Sequence, residues 1–210
     1  MKLSTALKTV LGTAALALPL AALAESNVQT GAATATGATA HVDFQITIPK
    51  ILYLRVGTGS SYTTGVLAAN TNIDLITFAP TAAQLGAGAV AGTGGDLLNG
   101  TETAAIVSNS GNVTLNATSA GALSDGAGDS IAFTQITTAV ATNTSATALP
   151  APTLANGVSN NVVLTAPSSK VITQDAKWTF AYANSAVVPT GTYGGVNTNN
   201  SRIVYTATMP

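Results

Sequence analysis

The sequence predicts an all-β chain: an antiparallel β-sandwich preceded by a flexible N-terminal arm. Three observations lead there. Thr, Ala, Gly, Asn, Ser and Val dominate, while charged residues make up only 7% of the 210 residues. That is poor material for surface helices and good material for short strands joined by turns. Apolar and polar residues alternate with period two in several segments, which puts one set of side chains on each face of a strand. Gly, Pro and Asn punctuate those segments at the short intervals of sandwich connections.

The elements follow in order. Residues 1–24 have the form of a secretory signal peptide: Lys2 and Lys8, an uncharged apolar stretch from Thr9 to Leu20, then Ala22-Leu23-Ala24 before Glu25. Cleavage removes both lysines and leaves five basic against eight acidic residues. No later apolar run is long enough to span a bilayer, so no membrane span is expected after cleavage. Residues 25–39 are an arm of small and polar residues with nothing large to bury.

A sandwich domain is expected over residues 40–210. Its first segment alternates most clearly: Ala40, Val42, Phe44, Ile46 and Ile48 against His41, Asp43, Gln45 and Thr47, ended by Pro49. Ile51–Val56 is a second apolar run, closed by Gly57-Thr58-Gly59-Ser60, and Ile73–Phe78 a third, stopped by Pro80. Glu102–Ser108 and Val113–Thr118 flank Asn109-Ser110-Gly111-Asn112, the signature of a hairpin. Ile131–Ile136 and Asn161–Thr165 are shorter strands. Trp178, Phe180 and Tyr182 alternate with Lys177, Thr179 and Ala181, and Ile203, Tyr205, Ala207 and Met209 with Arg202, Val204, Thr206 and Thr208. Trp178, Phe180, Tyr182, Ile203 and Tyr205 are read as core. Residues 81–100 and 119–130 read as loops rich in Gly and Ala. An outer-membrane barrel would also alternate, but ten aromatics cannot furnish two interfacial girdles.

Composition narrows the chemistry. Without cysteine there is no disulfide, thiolate metal site or cysteine nucleophile. A net charge of -1 offers no basic face to nucleic acid. His41 is the one histidine, sits on the polar side of its segment, and has no Gly-x-Ser-x-Gly serine to serve. A carboxylate pair for glycoside hydrolysis could be drawn from Asp96, Glu102, Asp125 and Asp129, but no spacing singles out an acid and a nucleophile. Asp125-Gly126-Ala127-Gly128-Asp129 is a weak calcium candidate through Asp125 and Asp129, with a plain Gly/Asp turn as the simpler reading. The Asn-x-Ser/Thr triplets at Asn99, Asn112, Asn116, Asn143 and Asn199 follow from composition. No enzyme activity and no cofactor are expected.

Two stretches carry a resemblance. Ala40–Pro49 running into Ile51–Gly57, and Trp178–Asn184 with Pro189–Tyr193 and Ile203–Thr208, resemble the opening and closing strands of secreted bacterial fimbrial, pilin-like proteins. The resemblance covers about a third of the chain and implies an immunoglobulin-like sandwich. It also implies a surface-fibre subunit, exported through the periplasm to the cell surface and polymerising with itself head to tail. Donor-strand exchange is the implied mechanism, in which a neighbour's N-terminal strand completes an open sheet edge. A periplasmic chaperone and an outer-membrane assembly protein are the implied partners. Donor positions would fall at Val28, Ala32 and Ala35 of the arm, or at Ala40, Val42, Phe44, Ile46 and Ile48. The latter set reads equally as the domain's own first strand. The chain departs from such pilins in lacking a cysteine pair and in placing Tyr205 five residues from its end. The other reading of function is a secreted adhesin or glycan-binding module working through its loops.

Overall fold

The structure, a computed structural model, describes residues 26–30, 37–59 and 67–210. The signal-peptide reading and the donor positions Ala32 and Ala35 lie outside the described residues, as does Ser60. The chain divides into two units, Met1–Ile48 and Pro49–Pro210. In the first, the described residues form neither helix nor strand and all are exposed.

The second unit is all β. Its strands are β1 (Leu52–Val56), β2 (Ile76–Thr77), β3 (Val90–Ala91), β4 (Thr93–Gly94), β5 (Thr101–Ser108), β6 (Val113–Ser119), β7 (Leu123–Ser124) and β8 (Ser130–Ile131). After them come β9 (Ile136–Ala141), β10 (Val162–Leu164), β11 (Ile172–Tyr182) and β12 (Ile203–Thr208). The larger sheet runs β1-β5-β11-β3, with β9 on the other edge of β11. The smaller runs β10-β6-β12. Two short ladders, β2-β4 and β7-β8, trim the loops, and every ladder is antiparallel.

The two sheets enclose one core, so this is a sandwich. β11 sends Ile172, Ala176, Trp178, Phe180 and Tyr182 inward, β5 adds Ala104 and Ile106, and β6 adds Val113, Leu115 and Ala117. Trp178 is fully buried, its ring centroid 5.4 Å from that of Tyr205 on the opposite sheet. Its Nε1–H donates to the Leu149 carbonyl at 2.8 Å, so the indole is buried without leaving its one donor unpaired. Phe180 and Tyr182 are buried, whereas Ile203 and Tyr205 are half-buried and packed against the same core.

Asp175 lies on the outer face of β11 and is 1% exposed. Its carboxylate accepts hydrogen bonds from Asn143 Nδ2 (2.7 Å), Thr144 Oγ1 (2.6 Å), Thr144 N (3.0 Å) and Ser145 N (2.7 Å). These bonds fold residues 143–145 over the strand. Burial by itself would push this carboxyl up, but the Thr144 and Ser145 donors hold it well below the usual carboxylate range.

Several elements differ from the expectations. The hairpin predicted around Asn109-Ser110-Gly111-Asn112 is an arch between sheets, because β5 pairs β1 and β11 while β6 pairs β10 and β12. β5 is buried on both faces and both its edges are occupied, so β6 has no edge left to take beside it. The turn asparagines serve other segments: Asn109 Nδ2 donates to Pro49 O at 2.8 Å, its Oδ1 accepts from Ile51 N at 2.9 Å, and Asn112 Oδ1 accepts from Ala166 N at 2.9 Å. Ala40–Ile48, the segment of clearest alternation, joins no ladder. Alternation shows that a strand can form; only a partner edge makes it one. Ile73–Phe78 shortens to β2, and Ile131–Ile136 splits into β8, a single 3-10 turn at Phe133–Gln135 and the start of β9.

Two outcomes follow from this packing. Trp178→Ala should destabilise the fold by about 3–5 kcal/mol, read as a lowered urea midpoint by circular dichroism. Asp175→Ala strands the donors of residues 143–145 and should cost about 2–3 kcal/mol at neutral pH. Because folding lowers this carboxyl, its stabilisation is complete above the unfolded value of 3.8 and is lost as the pH falls below it. The mutant should therefore show a smaller loss of urea midpoint on acidification than the wild type.

Candidate functional site

The sandwich is unevenly closed. At one end both sheets stop, the larger at β1 and the smaller at β12, and these two strands lie against one another. The inward side chains next to that end are fully buried: Ala104 and Ile106 on β5, Leu115 on β6. One strand further out they are not. Leu52, Leu54 and Val56 of β1 and Ile203, Tyr205 and Ala207 of β12 pack on the core yet remain half-buried. Apolar side chains facing a core and still partly wet lack a last covering layer.

A groove of about 670 Å³ runs along β1. Its lining includes Leu52, Leu54 and Val56 of β1 together with Leu67, Ala68, Ala69, Asn70 and Asn72. Asp74 follows that segment in the chain. Asp74 Oδ2 accepts from Thr58 N at 2.6 Å and Oδ1 from Thr58 Oγ1 at 3.0 Å, just beyond the end of β1.

Here the chain crowds three carboxyls. Glu102 is 4% exposed, on the inward face of β5 as the cross-strand partner of Trp178. Its Oε2 accepts from Asp96 N at 3.2 Å, and the Asp74 carboxylate lies close by, both converging on Gly57. Asp96 accepts from Thr103 N at 2.7 Å and pairs with Arg55 at 2.8 Å. Gly57 makes the approach of Asp74 and Glu102 possible. An added Cβ there would meet Asp74 Oδ2 and Glu102 Oε2 closer than 3.0 Å, and its φ of +84° suits only glycine well.

The electrostatics follow from that geometry. Burial pushes the Glu102 carboxyl up from 4.5 to about 8, helped by the charges of Asp74 and Asp96 and opposed by the Asp96 N–H. At neutral pH Glu102 is therefore a neutral acid able to donate a hydrogen bond. Tyr205, facing it from β12, is also pushed up, by burial first and then by Glu102.

The positions singled out by sequence scatter. Val28, Val42, Phe44, Ile46 and Ile48 are exposed at 83, 65, 89, 85 and 76%; Ala40 and His41 are exposed as well. Asp125 Oδ1 accepts from the N–H groups of Ala127, Gly128 and Asp129 at 2.8, 3.1 and 3.0 Å, and these bonds, Ala127 first, lower its proton affinity. This closes the β7-β8 turn. Among the described residues no three His, Cys, Asp or Glu side chains gather as metal ligands. Of the four carboxylates offered for glycoside hydrolysis, Asp96 and Glu102 do meet, but Glu102 is sealed from solvent and Asp96 is bound by Arg55. Asp74 was not singled out by any motif; its place beside Thr58 is made by the fold.

No protein-family model matches the chain, and no curated protein or solved structure matches it at a significant level.

The raised Glu102 carboxyl has a pH signature. Between 4.5 and about 8 the folded chain holds a proton that the unfolded chain has lost. The stability tied to that proton is fully present below 4.5 and is lost as the pH rises through 8. Glu102→Gln, neutral at every pH, should remove this alkaline slope, so that urea midpoints at pH 5 and pH 9 differ less than in the wild type.

Proposed function

We propose that the protein is a structural subunit of an extracellular fibre, assembled when residues 40–48 of one copy add as a strand to the β1/β12 end of the next. One observation carries this reading. The alternating apolar residues Val42, Phe44, Ile46 and Ile48 all stand exposed in a segment that joins no sheet. A second observation supplies the complement, the half-buried apolar rows of β1 and β12.

The physics is β-augmentation. Main-chain hydrogen bonds satisfy the edge, while alternate side chains enter the apolar space between sheets. Burying four large side chains is worth about 1.5–3 kcal/mol each before the ordering of the segment and the loss of free motion are subtracted. The donor and acceptor are different surfaces of one chain, so the contact is heterologous and propagates as a filament. Low charge favours this, since charged edge residues are what usually keep β proteins apart. With a secretory leader of the expected form at residues 1–24, the subunit would cross the periplasm and assemble at the cell surface, with a chaperone and an outer-membrane assembly protein as partners.

Substituting Phe44→Asp and Ile46→Asp together should abolish filaments of the purified protein in negative-stain micrographs. The circular dichroism and melting of the Pro49–Pro210 unit should stay unchanged. Filaments that persist in the double mutant would remove residues 40–48 as the donor. A wild-type protein that stays monodisperse under all assembly conditions would overturn the fibre reading in favour of a secreted binding module.

A further inference from the structure

The larger sheet has a second edge, β9, and it is built unlike the others. β9 pairs on one side with β11, residue for residue from Tyr182↔Ile136 to Lys177↔Ala141, so no bulge turns it away. Among the described residues no strand lies along its other side. β proteins usually protect such an edge with charge, proline, brevity or a cover. β1 carries Arg55, β10 has three residues, and β12 lies against β1. β9 reads Ile-Thr-Thr-Ala-Val-Ala, without charge or proline, and Thr137, Ala139, Val140 and Ala141 are exposed.

The direction of its backbone groups follows from β11. Phe180 N donates to Gly100 O at 2.9 Å and Phe180 O accepts from Gly92 N at 3.3 Å, both on the side away from β9. Its cross-strand partner Thr138 is therefore not bonded to it. The antiparallel alternation then places the N–H and C=O of Thr138 and Val140 on the open edge. Ile136 adds only its C=O, since its N–H donates to Phe133 O. The side chains agree. Ile136, Thr138 and Val140 share the inward face with Tyr182, Phe180 and Trp178, their partners on β11. The three aromatics are buried, whereas Val140 is 41% exposed.

We propose that β9 of one copy pairs antiparallel with β9 of a second copy about a two-fold axis through Thr138, joining two larger sheets into one. This does not rest on the strand-addition reading, since it uses the edge opposite β1. An axis perpendicular to the sheet keeps the inward faces of both copies on the same side. Thr138 then meets Thr138, Ile136 meets Val140, and Thr137 meets Ala139. The strand is its own complement: β-branched residues face one another on the inward side, small ones on the outer, and no like charges meet. The two Thr138 residues exchange main-chain bonds and each Val140 N–H reaches an Ile136 C=O, about four bonds in all. Moving the axis to Ala139 keeps the backbone bonding but leaves Ile136 without an apolar partner. The contact closes at two copies, so it would join filaments side by side rather than lengthen them. Its short span places the dissociation constant at about 1–100 μM.

The test uses the mature chain carrying Phe44→Asp and Ile46→Asp, which removes residues 40–48 as another partner for the edge. Sedimentation velocity from about 1 to about 300 μM should show a monomer–dimer equilibrium. Adding Val140→Lys puts a charge into the inward row of each copy. It should raise the dissociation constant about a hundredfold, about tenfold per copy, with circular dichroism unchanged. Thr138→Cys, in a chain with no other cysteine, should give a disulfide-linked dimer under mild oxidation, because the two positions face each other across the axis. Val163→Cys, on β10 and 59% exposed, should not. A chain that stays monomeric at about 300 μM would overturn the pairing and leave strand addition standing. So would a dimer that tolerates Val140→Lys and does not cross-link through Thr138→Cys. A wild type without filaments, together with a dimer lost on Val140→Lys, would uphold the pairing and overturn strand addition.

Discussion

The burial of Trp178 is the constraint on which the rest of the sandwich depends. Its indole reaches across the interior to Tyr205 of the smaller sheet and gives its single donor to Leu149. With one tryptophan and few other aromatics, no second side chain could fill that volume. β11 must therefore lie at the centre, and its eleven residues pair with β5, β9 and β3. The loop held by Asp175 and the Leu149 carbonyl both lie against this strand, so that one element organises core, outer face and connection together.

A centre this well filled makes the thin end of the sandwich conspicuous in energetic terms. The inward rows of β1 and β12 repeat the apolar pattern of the buried strands without their coverage. Such surface favours any extended apolar segment that can pair with an edge. Among the described residues, 40–48 form an exposed segment of alternating apolar residues that joins no ladder. Beside the same end lies Glu102, a carboxyl kept neutral by burial. A buried acid of this kind is kept neutral because ionising it there would cost the solvation of the charge.

Much of the fold was legible in the residues. Period-two alternation located β5, β6, β11 and β12 to within a residue or two at most ends, apart from the first half of β11, and assigned the inward face of β12 correctly. The arch at Asn109–Asn112 was not legible, because a turn signature says where the chain reverses and not which edges remain unoccupied. β11 extends back to Ile172, past the aromatic residues that marked it, because β5 offers pairing along that whole length. The carboxyl cluster was half visible. Asp96 and Glu102 are near in sequence, but Asp74 joins them through the fold, and nothing in its own neighbourhood signals that contact.

The low charge of the chain and its alternation were enough to determine an all-β protein, because solvation by Thr, Ser and Asn and a period of two leave helices no amphipathic face. Which strands lie together, and that Ala40–Ile48 stands outside every ladder, depended on competition for edges and for the space around Trp178. Those are long-range contacts whose free energy exists only once the whole chain is assembled. A local pattern records what each segment can do. The partner it meets is set by what the other segments have already taken.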